Sequence, residues 1–355
     1  MGPVAFACGL PGNDAEYVGP RTVHVTLKAL QDPSSAFAIV SYSSNPLPMT
    51  GIDKSRTRIL VVGATGVLGS EVVRNLLAAG HTVRAFGRRR AQLDLLAGFG
   101  AETVCGDLRD TDAVSHACTD VGQLLTSANG VAGRGVDSPH RVELLMHRNL
   151  CDAAKRHAVR RIVYVSGFGM GGASSPVDIF RLKHETEELI KQSGVPYVLL
   201  RPTLFMDMWV ATLLGDSIRD KGVATLFGDG KCVANFVAVR DLAEYARKVL
   251  EREEIRDTVV SVGGPSTMSF NEVVTIVERE LRVTAKRRHV PVFVLRAGKT
   301  LLRPFNEFAA RLMALGYFSA TRDTTFNEWR ESAERFGVSP MTVEAFAAER
   351  FGRIN

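Results

Sequence analysis

The chain has 355 residues, 45% of them apolar and 23% charged, with a formal net charge of +6. That composition marks an ordinary soluble globular protein able to bury a sizeable core. Lysine and arginine are scattered, with one tight cluster at Arg88-Arg89-Arg90, so nucleic-acid binding is disfavoured. Cys8, Cys105, Cys118, Cys151 and Cys232 are widely spaced, with no C-x-x-C pair and no histidine at zinc-finger spacing, so neither a disulfide framework nor a metal site is expected. A reducing, cytoplasmic compartment fits this cysteine usage. The longest apolar runs, such as Val290 to Leu295, fall far short of the roughly 20 residues of a bilayer-crossing helix, so no membrane span is expected.

Residues 1 to about 55 carry no sustained period and are serine-rich from Asp32 to Asn45, which predicts a poorly ordered extension outside the fold. Asp14, Glu16 and Asp32 argue against an organellar leader, interrupted apolar runs argue against a secretory one, and initiation near Met49 is an equal alternative.

From Arg58 the pattern changes. Ile59-Leu60-Val61-Val62 is a buried strand that ends in glycine and feeds a helical period. Strands near 82–86, 102–105, 121–126, 161–166 and 196–200 alternate with helices near 66–79, 90–97, 111–118, 138–157 and 179–193. Alternation of this kind predicts a doubly wound α/β fold, a Rossmann-type parallel sheet covered on both faces, over residues 56–255. Helices are expected at Leu204 to Arg219 and Arg240 to Arg252, around a turn at Gly228-Asp229-Gly230. Residues 204–235 contribute to the substrate region. A smaller C-terminal region, 256–355, with a helix near 269–282, a strand-like Val290 to Val294 and helices around 303–315 and 341–350, is expected to cover the strand ends where ligands bind in such sheets.

Gly63-Ala64-Thr65-Gly66-Val67-Leu68-Gly69 places glycines at G-x-x-G-x-x-G spacing between the first strand and the first helix. Such a loop lets backbone N–H groups approach a pyrophosphate at the positive end of a helix. After the second strand, Val83-Arg84-Ala85-Phe86-Gly87-Arg88 offers no carboxylate for a ribose 2′-hydroxyl, and the Arg88 guanidinium suits a 2′-phosphate, so NADP(H) is the expected cofactor. After the third strand, Asp107 is placed to accept from the adenine amino group, with helix capping as the alternative role.

These motifs, with Asn149-Leu150 to Ala153-Ala154, Arg161-Ile162-Val163-Tyr164-Val165-Ser166 and Val195-Pro196-Tyr197-Val198-Leu199-Leu200-Arg201-Pro202, resemble the NmrA-like branch of the atypical short-chain dehydrogenase/reductases over residues 58–255. The resemblance implies cofactor contacts from Gly63, Ala64, Thr65, Gly66, Val67, Leu68, Arg88, Asp107 and Leu108. Typical members use Tyr-x-x-x-Lys, in which the lysine activates the phenol for proton exchange. No tyrosine here has a lysine four residues on; Ile179 stands where the phenol would be, and Lys183 remains. By likeness to the isoflavone-reductase group, Lys183 is the first catalytic candidate and Ser166 the second. A surface pair of Lys183 with Glu187 and an ordinary strand-end turn at Ser166 are the structural alternatives. His184 follows Lys183 directly and so points about 100° away from it on a helix. His140, His147 and His157 lack metal spacing and are assigned to packing or surface. Phe205, Met206, Met208 and Trp209 are expected to wall a site for a flat apolar molecule.

Two functions follow. One is an NADPH-dependent oxidoreductase passing hydride to a small apolar electrophile such as a quinone or enone. The other is a catalytically silent NADP(H)-binding sensor with a protein partner. The missing tyrosine argues against a sugar-nucleotide epimerase or dehydratase.

Overall fold

Six strands follow one another in the first part of the chain: β1 (Arg58–Val62), β2 (Val83–Gly87), β3 (Glu102–Cys105), β4 (Val121–Thr126), β5 (Arg161–Val165) and β6 (Tyr197–Pro202). β7 (Val223–Phe227) and β8 (Val233–Asn235) lie outside their sheet, and β9 (Thr258–Val262) rejoins it. All seven run parallel in the order β3-β2-β1-β4-β5-β6-β9. The computed structural model describes residues 58–130, 133–175 and 177–352. The extension expected over residues 1 to about 55 lies outside them.

The helices are α1 (Val67–Ala78), α2 (Arg90–Gly98), α3 (Thr111–Cys118), α4 (His147–Arg156), α5 (Asp178–Gln192), α6 (Ser217–Lys221) and α7 (Val239–Glu251). π-helical turns, Arg141–Met146 and Asp207–Asp216, lead into α4 and α6. Because successive strand side chains point to opposite faces, the apolar strands serve two cores. Ile59 and Val61 pack with Val72, Leu76, Leu93 and Val249 of α1, α2 and α7. Leu60 and Val62 pack with Val114, Leu150 and Ile190 of α3, α4 and α5. The strand order reverses between β1 and β4, which opens a crevice at their carboxyl ends beside the glycine loop.

The sheet runs past residue 255, where the sequence reading ends the dinucleotide-binding domain. The cause is tertiary. Arg161 of β5, 3% exposed, donates to the carbonyls of Val249, Leu250, Arg252 and Ile255 and to the Gln123 side chain. Those bonds fix the turn after α7 and deliver β9 to the free edge of β6.

Beyond β9 come β10 (Thr267–Ser269), α8 (Phe270–Leu281), β11 (Lys286–Val290), α9 (Val292–Leu301), α10 (Glu307–Thr321), α11 (Trp329–Phe336) and α12 (Val343–Phe351). The expected strand from Val290 to Val294 is corrected here: the strand ends at Val290, and Pro291 caps a helix. Proline fixes its φ at −59° and donates no ladder bond, and Leu295, fully buried, holds the following turn against the body. β10 pairs antiparallel with β8, and β11 pairs parallel with β7.

Candidate active site

β1 delivers the chain into Gly63 at φ +79°, and α1 starts at Gly66 with no side-chain cap. The first N–H groups of α1 therefore lack a side-chain acceptor at the end where the dipole is positive. The first turn of α1 rests directly on the loop: a Cβ on Gly69 would fall 2.1 Å from the Gly63 carbonyl oxygen. A Cβ on Gly63 would meet the Ala128 nitrogen at 2.9 Å.

On one side of the loop lies a cavity of about 390 Å³ bordered by Gly63, Thr65, Arg88, Arg89, Asp107 and Leu108. Arg88 is half exposed and donates to Asp137 at 2.6 Å, with Asp107 at 3.6 Å. Arg89 reaches over the loop to the Thr65 carbonyl. The Arg109 fork on Asp107, at 2.6 and 2.9 Å, holds that carboxyl below its ordinary range. Capping of α3 falls to Asp110, which accepts from the Asp112 and Ala113 nitrogens at 3.0 Å, so Asp107 does not serve as the cap. Ala64 is buried in the core, donates to the Phe86 carbonyl at 3.3 Å and borders neither cavity described here.

On the other side lies a cavity of about 460 Å³, and Gly66, Ser127 and Asn129 border both. Val67, Leu68, Ser166 and Lys183 line it, with Phe205, Met208 and Trp209 from the segment after β6 and Leu315 and Phe318 from α10. Met206, fully buried, sits in the core rather than in this wall. Ile179, at the tyrosine position, presents aliphatic surface instead of a phenol.

Lys183 is not a surface residue paired with Glu187. Glu187 is fully buried and takes the guanidinium fork of Arg201 at 2.5 and 2.9 Å. The Lys183 side chain is 12% exposed, with Nζ 3.2 Å from the Tyr164 hydroxyl, 3.2 Å from the Val165 carbonyl and 3.5 Å from Glu143 Oε1. The Tyr164 hydroxyl donates to Glu143 Oε2 at 2.7 Å, and the Thr186 hydroxyl donates to the Glu143 carbonyl at 2.7 Å. Burial, reinforced by the Glu143 charge, pushes the Tyr164 phenol far above its usual pKa, so it stays protonated. His147 stands edge-on to Tyr164 at 5.2 Å between ring centroids, and its nitrogens contact the Val142 carbonyl and the Thr126 hydroxyl. Its burial lowers the imidazole pKa. Ser166 Oγ is buried with no hydrogen-bond partner among the described residues.

Glu143 and Tyr164 are the residues that sequence reasoning passed over. Tyr164 was judged only by the absence of a lysine four positions on. For Glu143 a signal existed: it shares a helical stripe with His147 and Leu150, and a carboxylate on a buried face requires a partner. The π-helical turn sets the angle at which that carboxylate enters, a role such turns often play at functional sites.

A profile of the NAD(P)H-binding family matches residues 63–253, from the glycine loop to just beyond α7. The chain belongs to the NAD(P)H-binding family. It falls within the NmrA-like, atypical short-chain dehydrogenase/reductase superfamily, and its cofactor is a nicotinamide dinucleotide. Among relatives, the NAD(P)H azoreductase of Xenophilus azovorans is 32% identical over 216 residues, covering 61% of this chain and 71% of the relative. A photosystem II assembly factor of Synechocystis is 26% identical over 308 residues, covering 84% of this chain and 91% of that one. The Escherichia coli NADPH-dependent quinone oxidoreductase complexed with NADPH superposes with a TM-score of 0.69 at 21% identity, over 83% of this chain and 100% of that chain. At that identity the likeness is one of fold. This NAD(P)H-binding protein therefore places two features side by side, a glycine loop at the uncapped start of α1 and an apolar cavity lined by Lys183.

Proposed function

We propose that the protein is an NADPH-dependent reductase that passes hydride to a small, flat apolar electrophile such as a quinone, an enone or an azo compound. One observation carries this reading: an aromatic-walled cavity meets the glycine loop and holds Lys183 as the single basic residue of its lining. Family membership and the azoreductase relative support the reaction class.

The residues present fit the cofactor. Ala64 and Gly66 spend their N–H groups on the Phe86 and Gly63 carbonyls, so the uncapped first turn of α1 leaves the backbone N–H groups of Val67 and Leu68 for a pyrophosphate. Arg88 holds the 2′-phosphate by exchanging its exposed pair with Asp137, a pair worth no more than about 1 kcal/mol. Asp107, kept ionised and oriented by Arg109, would accept from the adenine amino group, and Leu108 borders the same cavity. Bound NADPH supplies the hydride. Lys183 holds a proton at the cavity wall and donates it to the oxygen or nitrogen on which negative charge develops. Glu143 and the Tyr164 hydroxyl hold that lysine in place, and the Ser166 hydroxyl would bond the acceptor's polar atom.

The test is NADPH oxidation with a panel of quinones, enones and azo dyes, run beside Lys183→Ala. Turnover that disappears in the variant supports the reductase. A second reading, a silent dinucleotide-binding protein acting through a partner, is favoured by Ile179 in place of the phenol and by the assembly-factor relative. Tight NADPH binding with no turnover on any acceptor would select it.

A further inference from the structure

The cations that looked scattered are concentrated in one stretch. From Arg282 to Asn306 there is no aspartate or glutamate, while Lys286, Arg287, Arg288, Arg296, Lys299 and Arg303 all fall within it. β11 presents Lys286, Arg287, Arg288 and His289 to solvent. Arg287 pairs with Glu278 at 3.2 Å and Arg303 with Asp178 at 3.3 Å, whereas no carboxylate among the described residues pairs with Lys286, Arg288 or Arg296.

The same stretch exposes three large apolar side chains. Phe293 is 73% exposed, Leu301 68% and, in the turn after α9, Phe305 89%. α9 is anchored by Leu295, fully buried, and by Gly298, whose Cα lies so near Met313 of α10 that a Cβ would stand 3.0 Å from it. With that side inward, Phe293, Ala297 and Leu301, spaced i, i+4 and i+8, form an outward stripe, and Arg296, Lys299 and Arg303 form its flank. Isolated exposed apolar residues are ordinary, but three within thirteen residues of chain, beside Lys286, Arg288 and Arg296 with no paired carboxylate among the described residues, mark a contact surface.

We propose that β11, α9 and the following turn dock the protein peripherally on an anionic lipid bilayer. Phe293, Leu301 and Phe305 enter the headgroup boundary, and Arg288, Arg296 and Lys286 meet lipid phosphates. Charge complementarity decides between occupants. A protein partner's interface core is depleted of lysine and needs a shaped, shared groove, whereas these apolar side chains stand beside Lys286, Arg288 and Arg296, with which no carboxylate among the described residues pairs. An interfacial helix combines the two features seen here, an aromatic and aliphatic face with lysine and arginine beside it. No helix among the described residues is long and apolar enough to cross a membrane, so the association is with the surface. The inference is independent of the reductase reading, since vesicle binding needs no turnover.

The test is co-sedimentation of the full chain with vesicles of phosphatidylcholine alone and of phosphatidylcholine mixed with phosphatidylglycerol, at low and raised salt. The expected result is binding to the anionic vesicles that falls about tenfold or more on neutral ones and on raising salt. The triple variant Phe293→Ser, Leu301→Ser, Phe305→Ser should lose about tenfold or more in affinity with an unchanged circular dichroism spectrum. Arg288→Glu with Arg296→Glu should erase the preference for anionic lipid. No binding to anionic vesicles, or a triple variant that binds like the parent, overturns the proposal.

Discussion

The ammonium of Lys183 stands 3.5 Å from the Glu143 carboxylate, two charges brought together from α5 and from the π-helical turn before α4. Glu143 is fully buried, and its partners are that ammonium and the Tyr164 hydroxyl, which donates to Oε2 at 2.7 Å. The three side chains hold the lysine at the wall of the apolar cavity, where the proposed reduction would need a proton donor.

Lys183→Ala should lower turnover by about 100-fold or more while changing NADPH affinity little, by stopped-flow oxidation and fluorescence titration. The same change strands the Glu143 charge and should cost about 3 kcal/mol in chemical denaturation. Adding Glu143→Gln should restore most of the stability and none of the turnover. Full activity in Lys183→Ala would remove the lysine from the reaction.

Arg88→Ala should weaken NADPH binding by about tenfold or more and leave NADH nearly unchanged, because only the 2′-phosphate offers the guanidinium a second pair of oxygens. Equal losses for the two cofactors would overturn the assignment of Arg88 to the 2′-phosphate.

Gly69→Ala should destroy dinucleotide binding and lower the thermal midpoint sharply. Its Cβ would overlap the Gly63 carbonyl oxygen at 2.1 Å, a backbone contact that no side-chain motion relieves. Ala replacing Gly98, with no atom within 4 Å of its Cβ, is the control and should be tolerated.

Stability should fall on acidification through His147. Burial holds this imidazole's pKa below its ordinary value, so the unfolded chain takes up the proton first. The contribution is complete above about pH 6.5 and is lost as pH falls from there toward the folded-state pKa, at no more than about 1.4 kcal/mol per pH unit. Denaturation midpoints measured from neutral pH down to about pH 5 should drop less steeply for His147→Gln than for the parent.

The alternation of strand-like and helical segments, read along the chain, is enough for the Rossmann sheet from β1 to β6. Local pattern and tertiary demand differ further on. β9 (Thr258–Val262) matches β1 in length and is rich in β-branched residues, but it follows the loosened rhythm after Arg201-Pro202, and it joins the sheet through Arg161 and the open edge of β6. α9 was read in part as a strand because its β-branched residues follow a strand directly; Pro291 and the burial of Leu295 make it a helix.

The sequence by itself determined the glycine loop, the absence of a Tyr-x-x-x-Lys pair and the retention of Lys183, since each is a matter of residue type at fixed spacing within one element. Only the tertiary structure decided what Lys183 touches. Within α5 its reachable neighbour is Glu187, but the sheet brings Arg201 to that carboxylate and brings Glu143 and Tyr164 to the lysine. Ion pairing in a protein interior is settled by which charges the packed elements leave without solvent, and that choice is made between elements distant in sequence.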